Sequence, residues 1–153
     1  MVAPRSWMLI ADPSGARLFA SKGVIFRGDW KLVGEFQHPE GRMKPHEILT
    51  DRPGRVKQSG APEMRAAMEP HSPVKTVLAE SFARLLAKKL EAGLDARKYD
   101  RLVLVAPPSF LGVLRQQLSD GVAKRVIAAL EKDYLHLDDQ KLRDHLSQQL
   151  VLP

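Results

Sequence analysis

Two short, uninterrupted apolar runs, residues 7–11 and 102–106, constrain the fold of this chain more than any other feature. A strand with one face in solvent alternates apolar and polar residues, whereas these two runs contain no polar position. Such runs are typical of central strands that are covered on both faces. They predict an α/β fold in which helices pack on both sides of the sheet.

The residues that follow the first run predict an antiparallel meander. Residues 12–15 (Asp-Pro-Ser-Gly) have type I turn chemistry, and residues 16–21 then alternate as a second strand would. Residues 30–37 also alternate, which indicates a third strand. The alternation places four residues on one face of that strand: Trp30, Leu32, Gly34 and Phe36.

A long helix is expected to begin at residues 72–73, because Ser72 is a good N-cap and Pro73 fits the first helical position. Apolar residues then recur at helical spacing, and Gly93 is the expected C-terminal stop. Residues 110–118 predict a short second helix, and residues 119–124 predict one further helical turn.

The end of the chain gives one clear prediction and one open choice. Residues 125–131 fit either a last strand or a helix, since a short apolar run does not distinguish them. Asp138 or Asp139 is expected to cap a terminal helix. That helix carries three leucines at helical spacing: Leu142, Leu146 and Leu150.

These elements predict one domain over residues 1–153, built as a ribonuclease-H-like α/β fold. The order is three strands, a long loop, and then helices alternating with two further strands. A meander followed by right-handed crossovers gives a mixed five-stranded sheet of order 3-2-1-4-5 with helices on both faces. An exposed edge at the third or the last strand could pair two subunits, so a homodimer is one expectation.

Composition excludes several classes of protein. The chain has 153 residues and no cysteine, so disulfide frameworks, cysteine nucleophiles and thiolate metal sites are excluded. The first residues lack the apolar region and cleavage site of a secretory signal, and no apolar run is long enough to span a bilayer. The expected compartment is therefore the cytoplasm. Lys and Arg number 24 against 18 Asp and Glu, a net charge of +6.

Residues 38–71 predict a long, mobile, basic loop between the third strand and the first helix. Prolines and glycines interrupt every periodicity there, and no aromatic residue occurs between Phe36 and Phe82. Within residues 42–57, five cations face only Glu47 and Asp51, and this favours contact with phosphate backbones. Without aromatic residues for stacking, base-specific reading is not expected. The candidate RNA-binding or ribosome-binding residues are Arg42, Lys44, Arg52, Arg55 and Lys57.

Other candidate residues have an ordinary structural interpretation beside the chemical one. Asp12, at the end of the first strand, fits a nuclease metal ligand or a turn residue. His38, His46 and His71 fit a zinc site or solvated loop histidines. Ser109 follows a strand as a nucleophile would, but it lacks the flanking glycines of a nucleophile elbow, which favours helix capping. The sequence predicts neither a metal nor a cofactor.

Nine stretches of the chain, in the same order, match one family pattern. The most specific stretch is residues 100–108, Asp-Arg-Leu-Val-Leu-Val-Ala-Pro-Pro. The other matching stretches are residues 10–12, 16–19, 38–40, 51–55, 82–86, 110–112, 131–133 and 142–143. Together they resemble a bacterial family described as host-attachment proteins, or proteins required for attachment to host cells.

That family in turn is similar to the middle domain of archaeal and eukaryotic peptide-chain release factors and of Pelota. The resemblance implies the same fold, with residues 38–71 in the place of the loop that enters the ribosome. In release factors that loop carries Gly-Gly-Gln, whereas this chain contains no Gly-Gly pair at all. The resemblance therefore implies ribosome or RNA binding without peptide release.

Three functional hypotheses follow. The first is a non-enzymatic cytoplasmic module that binds the ribosome or structured RNA through the basic loop. The second is a protein–protein interaction module that affects attachment to host cells. The third is a hydrolase that uses the loop histidines together with Asp12 or Asp51.

Overall fold

The computed structural model describes residues 4–22, 30–38 and 73–149 of the chain. Five strands form one open sheet: β1 (Arg5–Asp12), β2 (Gly15–Lys22), β3 (Lys31–Gln37), β4 (Arg101–Ala106) and β5 (Val126–Glu131). Four helices accompany them in these ranges: α1 (Pro73–Asp95), α2 (Pro108–Gln117), α3 (Asp120–Ala123) and α4 (Asp139–Gln149). The strand order is β3-β2-β1-β4-β5, as the sequence predicts.

Strand direction follows from the connections. The tight turn between β1 and β2 makes that pair antiparallel, and β3 continues the meander beside β2. The β1–β4 and β4–β5 pairs are parallel, because helices form their crossover connections. The sheet is therefore mixed, with β1 and β4 at its centre.

Both predicted central strands are covered on both faces, because successive side chains of a strand point to opposite sides. On one face, Leu9 and Leu104 pack in a core with Phe82 and Leu86 of α1 and Leu114 of α2. On the other face, Met8, Ile10 and Val103 pack against Leu142 and Leu146 of α4. Helices thus cover both faces of the sheet, as the two apolar runs predict.

The predicted facing of β3 is wrong at its beginning. The partners of Leu18 and Phe19 on β2 are Gly34 and Leu32, so Val33 is an extra, unpaired residue on β3. A single extra residue turns the preceding side chains to the other face of the sheet. Phe36 therefore packs with the α1 core, whereas Trp30 packs with the opposite core, beside α4.

The predicted end of α1 is also wrong. The helix begins at Pro73, as expected, but it continues past Gly93 to Asp95. The left-handed residue that ends it is Arg97, with φ of 58°, whose amide donates to the Leu94 carbonyl oxygen. Gly93 instead lies directly beneath the indole ring of Trp7, where a side chain would not fit.

The structure answers the questions that the sequence left open about residues 125–131 and about the helix caps. Residues 126–131 are a strand, and Asp138 caps α4 by accepting a 2.8 Å hydrogen bond from the Lys141 amide. Ser119 caps α3 in the same way, through Val122. Ser109 does not cap α2 as predicted: Pro107 is the N-cap, and no side chain bonds to that helix end. Pro108 removes one of the amide donors that a cap would otherwise satisfy.

Among the described helices, none combines the length and the apolar composition that crossing a bilayer requires.

Candidate functional site

The five predicted RNA-binding cations and three further candidates, His46, Asp51 and His71, lie outside the described residues. What the structure describes is the two elements that flank residues 39–72. β3 leads into this segment through His38, and α1 follows it at Pro73.

His38 is held against the β1–β2 turn. Its ring stacks on Phe82 of α1 with the centroids 4.7 Å apart and the planes 2° from parallel. Its Nδ1 lies 2.8 Å from the Pro13 carbonyl oxygen, and its amide donates to the Ser14 carbonyl oxygen at 2.8 Å. Since a carbonyl only accepts, Nδ1 carries the proton. His38, the residue directly before the 39–72 segment, is thus held in a fixed position.

Asp12 is a buried turn residue. Its Oδ1 accepts hydrogen bonds from the Ser14 amide at 2.7 Å and from the Ser14 hydroxyl at 2.6 Å. This is the Asx-turn geometry by which aspartate stabilises a tight turn. The structural interpretation of Asp12 accounts for one of its two carboxylate oxygens.

The other oxygen of Asp12 faces a histidine that sequence reasoning missed. His136 Nε2 lies 3.2 Å from Asp12 Oδ2, and the His136 side chain is 59% exposed. His136 belongs to the connection between β5 and α4, far from Asp12 along the chain, and nothing in its local sequence marks it. His136 lines a cavity of about 230 Å³, which Ser14, Arg17, Glu35 and Gln37 also line.

The Asp12–His136 pair does not form a serine-nucleophile relay. Such a relay needs the serine hydroxyl hydrogen-bonded to the imidazole, whereas the Ser14 hydroxyl donates to the carboxylate. In residues 4–22, 30–38 and 73–149, no group of three or more His, Asp or Glu side chains converges to hold a metal ion. The pair can orient the His136 ring and leave its Nδ1 facing away from Asp12.

Arg17 holds the wall of this cavity in place. Its Nη2 donates to the carbonyl oxygens of Leu135 and Leu137 at 2.6 and 2.7 Å, and Nη1 lies 3.5 Å from Asp139 Oδ1. One guanidinium thus ties β2 to the connection before α4 and positions the neighbouring His136. Arg17 acts here as a structural cation.

Substitutions of Asp12 distinguish how much its contact with Ser14 and its contact with His136 contribute to stability. We expect Asp12→Ala to lower the free energy of unfolding by about 1–2 kcal/mol, because the buried Ser14 donors lose their acceptor. Asp12→Asn keeps an acceptor oxygen and should cost less than about 1 kcal/mol. Urea denaturation of both variants measures this difference. Equal losses would show that the carboxylate charge, through His136, matters more than the turn.

At the opposite end of the sheet, four cationic side chains line a second cavity of about 380 Å³: Arg5, Lys22, Lys31 and Lys98. We call this cavity the basic concavity. Ser6, Ala20 and Ser21 are the other described residues of its lining, so no carboxylate lies among the lining residues that the structure describes. Arg5 contacts Asp100 outside the lining, at 3.3 Å, and the Arg5 amide also donates to Asp100. This hydrogen bond and the guanidinium beside it lower the pKa of Asp100.

Both edge strands of the sheet carry a bulge. The extra residue of β3 is Val33, and that of β5 is Ile127, which lies between the partners of Leu102 and Val103. These two residues are 50% and 42% exposed. Bulges interrupt the row of hydrogen-bonding groups that another strand would need, so they oppose pairing between edges. The predicted homodimer stays a prediction.

Comparison with known proteins adds the family. The family model described as "Protein required for attachment to host cells" matches residues 7–146, which include every described strand and helix except the ends of β1 and α4. An uncharacterized protein of Rickettsia prowazekii (strain Madrid E) is 37% identical over 130 residues, which cover 82% of this chain and 76% of the relative. The resemblance to host-attachment proteins is thereby confirmed, and this chain belongs to the family of proteins required for attachment to host cells.

Proposed function

We propose that this protein is a non-enzymatic cytoplasmic module, formed by residues 1–153 as one unit, that binds the ribosome or structured RNA. The observation that carries the proposal is the charge of residues 42–57, where five cations face two carboxylates. Lysine and arginine side chains neutralise backbone phosphates and release their counterions, which favours binding without sequence specificity. Arg52 and Arg55 are the central residues, since guanidinium groups grip phosphate with two donors.

The anchoring of His38 supports this role. A binding segment that starts from a fixed position loses less conformational freedom on binding than a free tail does. His38 is fixed by the Phe82 ring and by two hydrogen bonds to the β1–β2 turn. The root of the cationic segment is therefore oriented before any ligand arrives.

The proposed activity is binding and not peptide release. The resemblance to release-factor middle domains, which is a prediction from the sequence, favours a ribosomal partner. Release by those proteins depends on Gly-Gly-Gln, and this chain has no Gly-Gly pair. We therefore expect no hydrolysis of peptidyl-tRNA by this protein on programmed ribosomes.

Ribosome co-sedimentation across a salt series tests the proposal. We expect the protein to pellet with ribosomes at low salt and to dissociate as salt rises. Replacing Arg52 and Arg55 with Ala should lower the slope of log K against log salt by about two units, about one for each lost phosphate contact. The matched control is Arg84→Ala with Arg115→Ala, which removes the same charge from exposed positions on α1 and α2.

Two outcomes would overturn the proposal. In the first, the protein stays in the supernatant at the lowest salt. In the second, its capture by cell components is unaffected by salt and survives nuclease treatment. That second result would favour the interaction-module hypothesis, in which the partner is a protein that affects attachment to host cells.

A further inference from the structure

We propose that the basic concavity binds backbone phosphates of RNA and is a second contact surface, separate from residues 42–57. This inference rests on the proposed function, because it names a further part of the protein that touches the same ligand. Its residues come from four separate places in the chain: β1, β2, β3 and the turn after α1. These residues are distant from one another in the sequence, and only the fold brings them together.

The strand register places like charges side by side. Arg5 of β1 lies directly opposite Lys22 of β2, so both side chains project from the same face. Lys31 of β3 is the partner of Ala20, two residues before Lys22, and therefore shares that face. Like charges directly opposite each other destabilise a sheet. A bound anion would relieve this repulsion.

Carboxylates in the part of the chain that the structure describes compensate little of this charge. Asp100 contacts Arg5, and both side chains are close to half exposed. Within the described part of the chain, Lys22, Lys31 and Lys98 have no carboxylate within ion-pair distance of their ammonium groups. Three exposed ammonium groups therefore face a cavity of about 380 Å³, and none of its described lining residues neutralises them.

The lining favours a nucleic-acid backbone over a membrane or an acidic peptide. Proteins that bind a lipid surface add apolar or aromatic side chains that enter the bilayer, and among the described lining residues Ala20 alone is apolar. Peptide sites likewise use apolar anchors for affinity. A cavity whose described lining is cationic and carries no aromatic ring suits phosphate contact that does not depend on base sequence.

The position of the basic concavity indicates a long ligand. It lies at the Arg5 end of β1, whereas the root of the 39–72 segment lies at the Asp12 end, where His38 contacts Pro13 and Ser14. β1 has eight residues from Arg5 to Asp12, which puts the two ends roughly 23 Å apart. A mononucleotide does not span that distance, but a structured RNA does.

Fluorescence anisotropy with a labelled RNA duplex of about 20 base pairs tests the inference. The test variant carries Lys22→Gln, Lys31→Gln and Lys98→Gln. The control carries Lys88→Gln, Lys89→Gln and Lys132→Gln, which removes the same charge from exposed positions elsewhere. We expect the slope of log K against log salt to fall by about three units in the test variant only. Its melting temperature should equal or exceed that of the wild type, because repulsion is removed.

The same titration with Arg52→Ala and Arg55→Ala separates this inference from the proposed function. If only the arginine variant loses affinity, the proposed function stands and the basic concavity is not a contact. If only the lysine variant loses affinity, the basic concavity is the contact and residues 42–57 are not. Equal losses in the lysine variant and its control would overturn the inference, since net charge alone would explain them. Binding to phosphatidylserine vesicles but not to RNA would overturn it in favour of a lipid surface.

Discussion

Replacing Gly93 with alanine is expected to lower the free energy of unfolding by about 2 kcal/mol, which is the range for overpacking a buried site. A Cβ atom at this position would overlap Cη2 and Cζ3 of Trp7. The indole cannot move aside easily, because Trp7 is 8% exposed and stacks on Tyr99 with the ring centroids 4.6 Å apart. The overlap therefore outweighs the gain of about 1 kcal/mol that alanine brings to a helix interior.

Gly112 supplies the matched control. It lies in α2 and is exposed, and a Cβ atom added there would meet no heavy atom within 4 Å. Gly112→Ala should therefore raise the free energy of unfolding by about 1 kcal/mol, through helix propensity alone. A lower free energy of unfolding for Gly93→Ala and a higher one for Gly112→Ala would identify the Trp7 contact as the cause of the loss at Gly93.

Chemical denaturation of the two single variants measures both values. A third variant, Gly93→Ala with Trp7→Phe, should lose less stability than the sum of its two single changes, because the smaller ring leaves room for the Cβ. Stabilisation by Gly93→Ala would contradict the packing described for α1 and β1.

Removing the Tyr99 hydroxyl is expected to change the dependence of stability on alkaline pH. Tyr99 is 1% exposed, and its hydroxyl donates to the Leu90 carbonyl oxygen at 2.7 Å. Burial raises the pKa of Tyr99 from 10.0 to about 12. Between pH 10 and pH 12, Tyr99 therefore keeps its proton in the folded state and loses it in the unfolded state. The stability that this group contributes is fully present below pH 10 and falls as pH rises toward 12.

Relative to the wild type, Tyr99→Phe is expected to be less stable at neutral pH and more stable at alkaline pH. At neutral pH, Tyr99→Phe should cost about 1 kcal/mol, the value of one buried hydrogen bond. As pH rises from 10 to 12, the wild type should lose about 2–3 kcal/mol through this group, and the variant should not. The variant should therefore become the more stable protein at the alkaline end.

Urea denaturation of wild type and Tyr99→Phe at stepped pH values measures this crossover. The difference between the two proteins cancels the titration of lysines, which both share. A difference that stays constant from neutral pH to pH 12 would contradict the raised pKa of Tyr99. An absorbance titration of the tyrosine phenolates in the folded protein gives an independent measure of it.

The strands and helices were predictable because their signals are local. The apolar runs around Leu9 and Leu104 indicate buried strands whatever lies beside them, and periodic leucines such as Leu142 and Leu146 indicate the buried face of a helix. Turn chemistry at Asp12 was also readable, since the bond from Asp12 to Ser14 joins residues two apart. Strand order then followed from rules of chain connection that apply to all sheets.

The predictions that are wrong concern residues whose positions depend on contacts with distant parts of the chain. Trp30 faces the α4 side because a bulge forms at Val33 against β2, and the strand's own alternation contains no trace of it. Gly93 looks like a helix stop, but it is a point of close approach to Trp7. The contact between Asp12 and His136 likewise joins two ends of the chain.

The family, the α/β architecture and the local positive charge of residues 42–57 follow from the amino-acid order, because each depends on neighbouring residues or on matched stretches. Which charges act together follows only from the folded chain. Arg5, Lys22, Lys31 and Lys98 form one surface through strand register and the turn after α1. Electrostatic interaction depends on distance in space, and folding sets that distance between residues that are far apart in the chain.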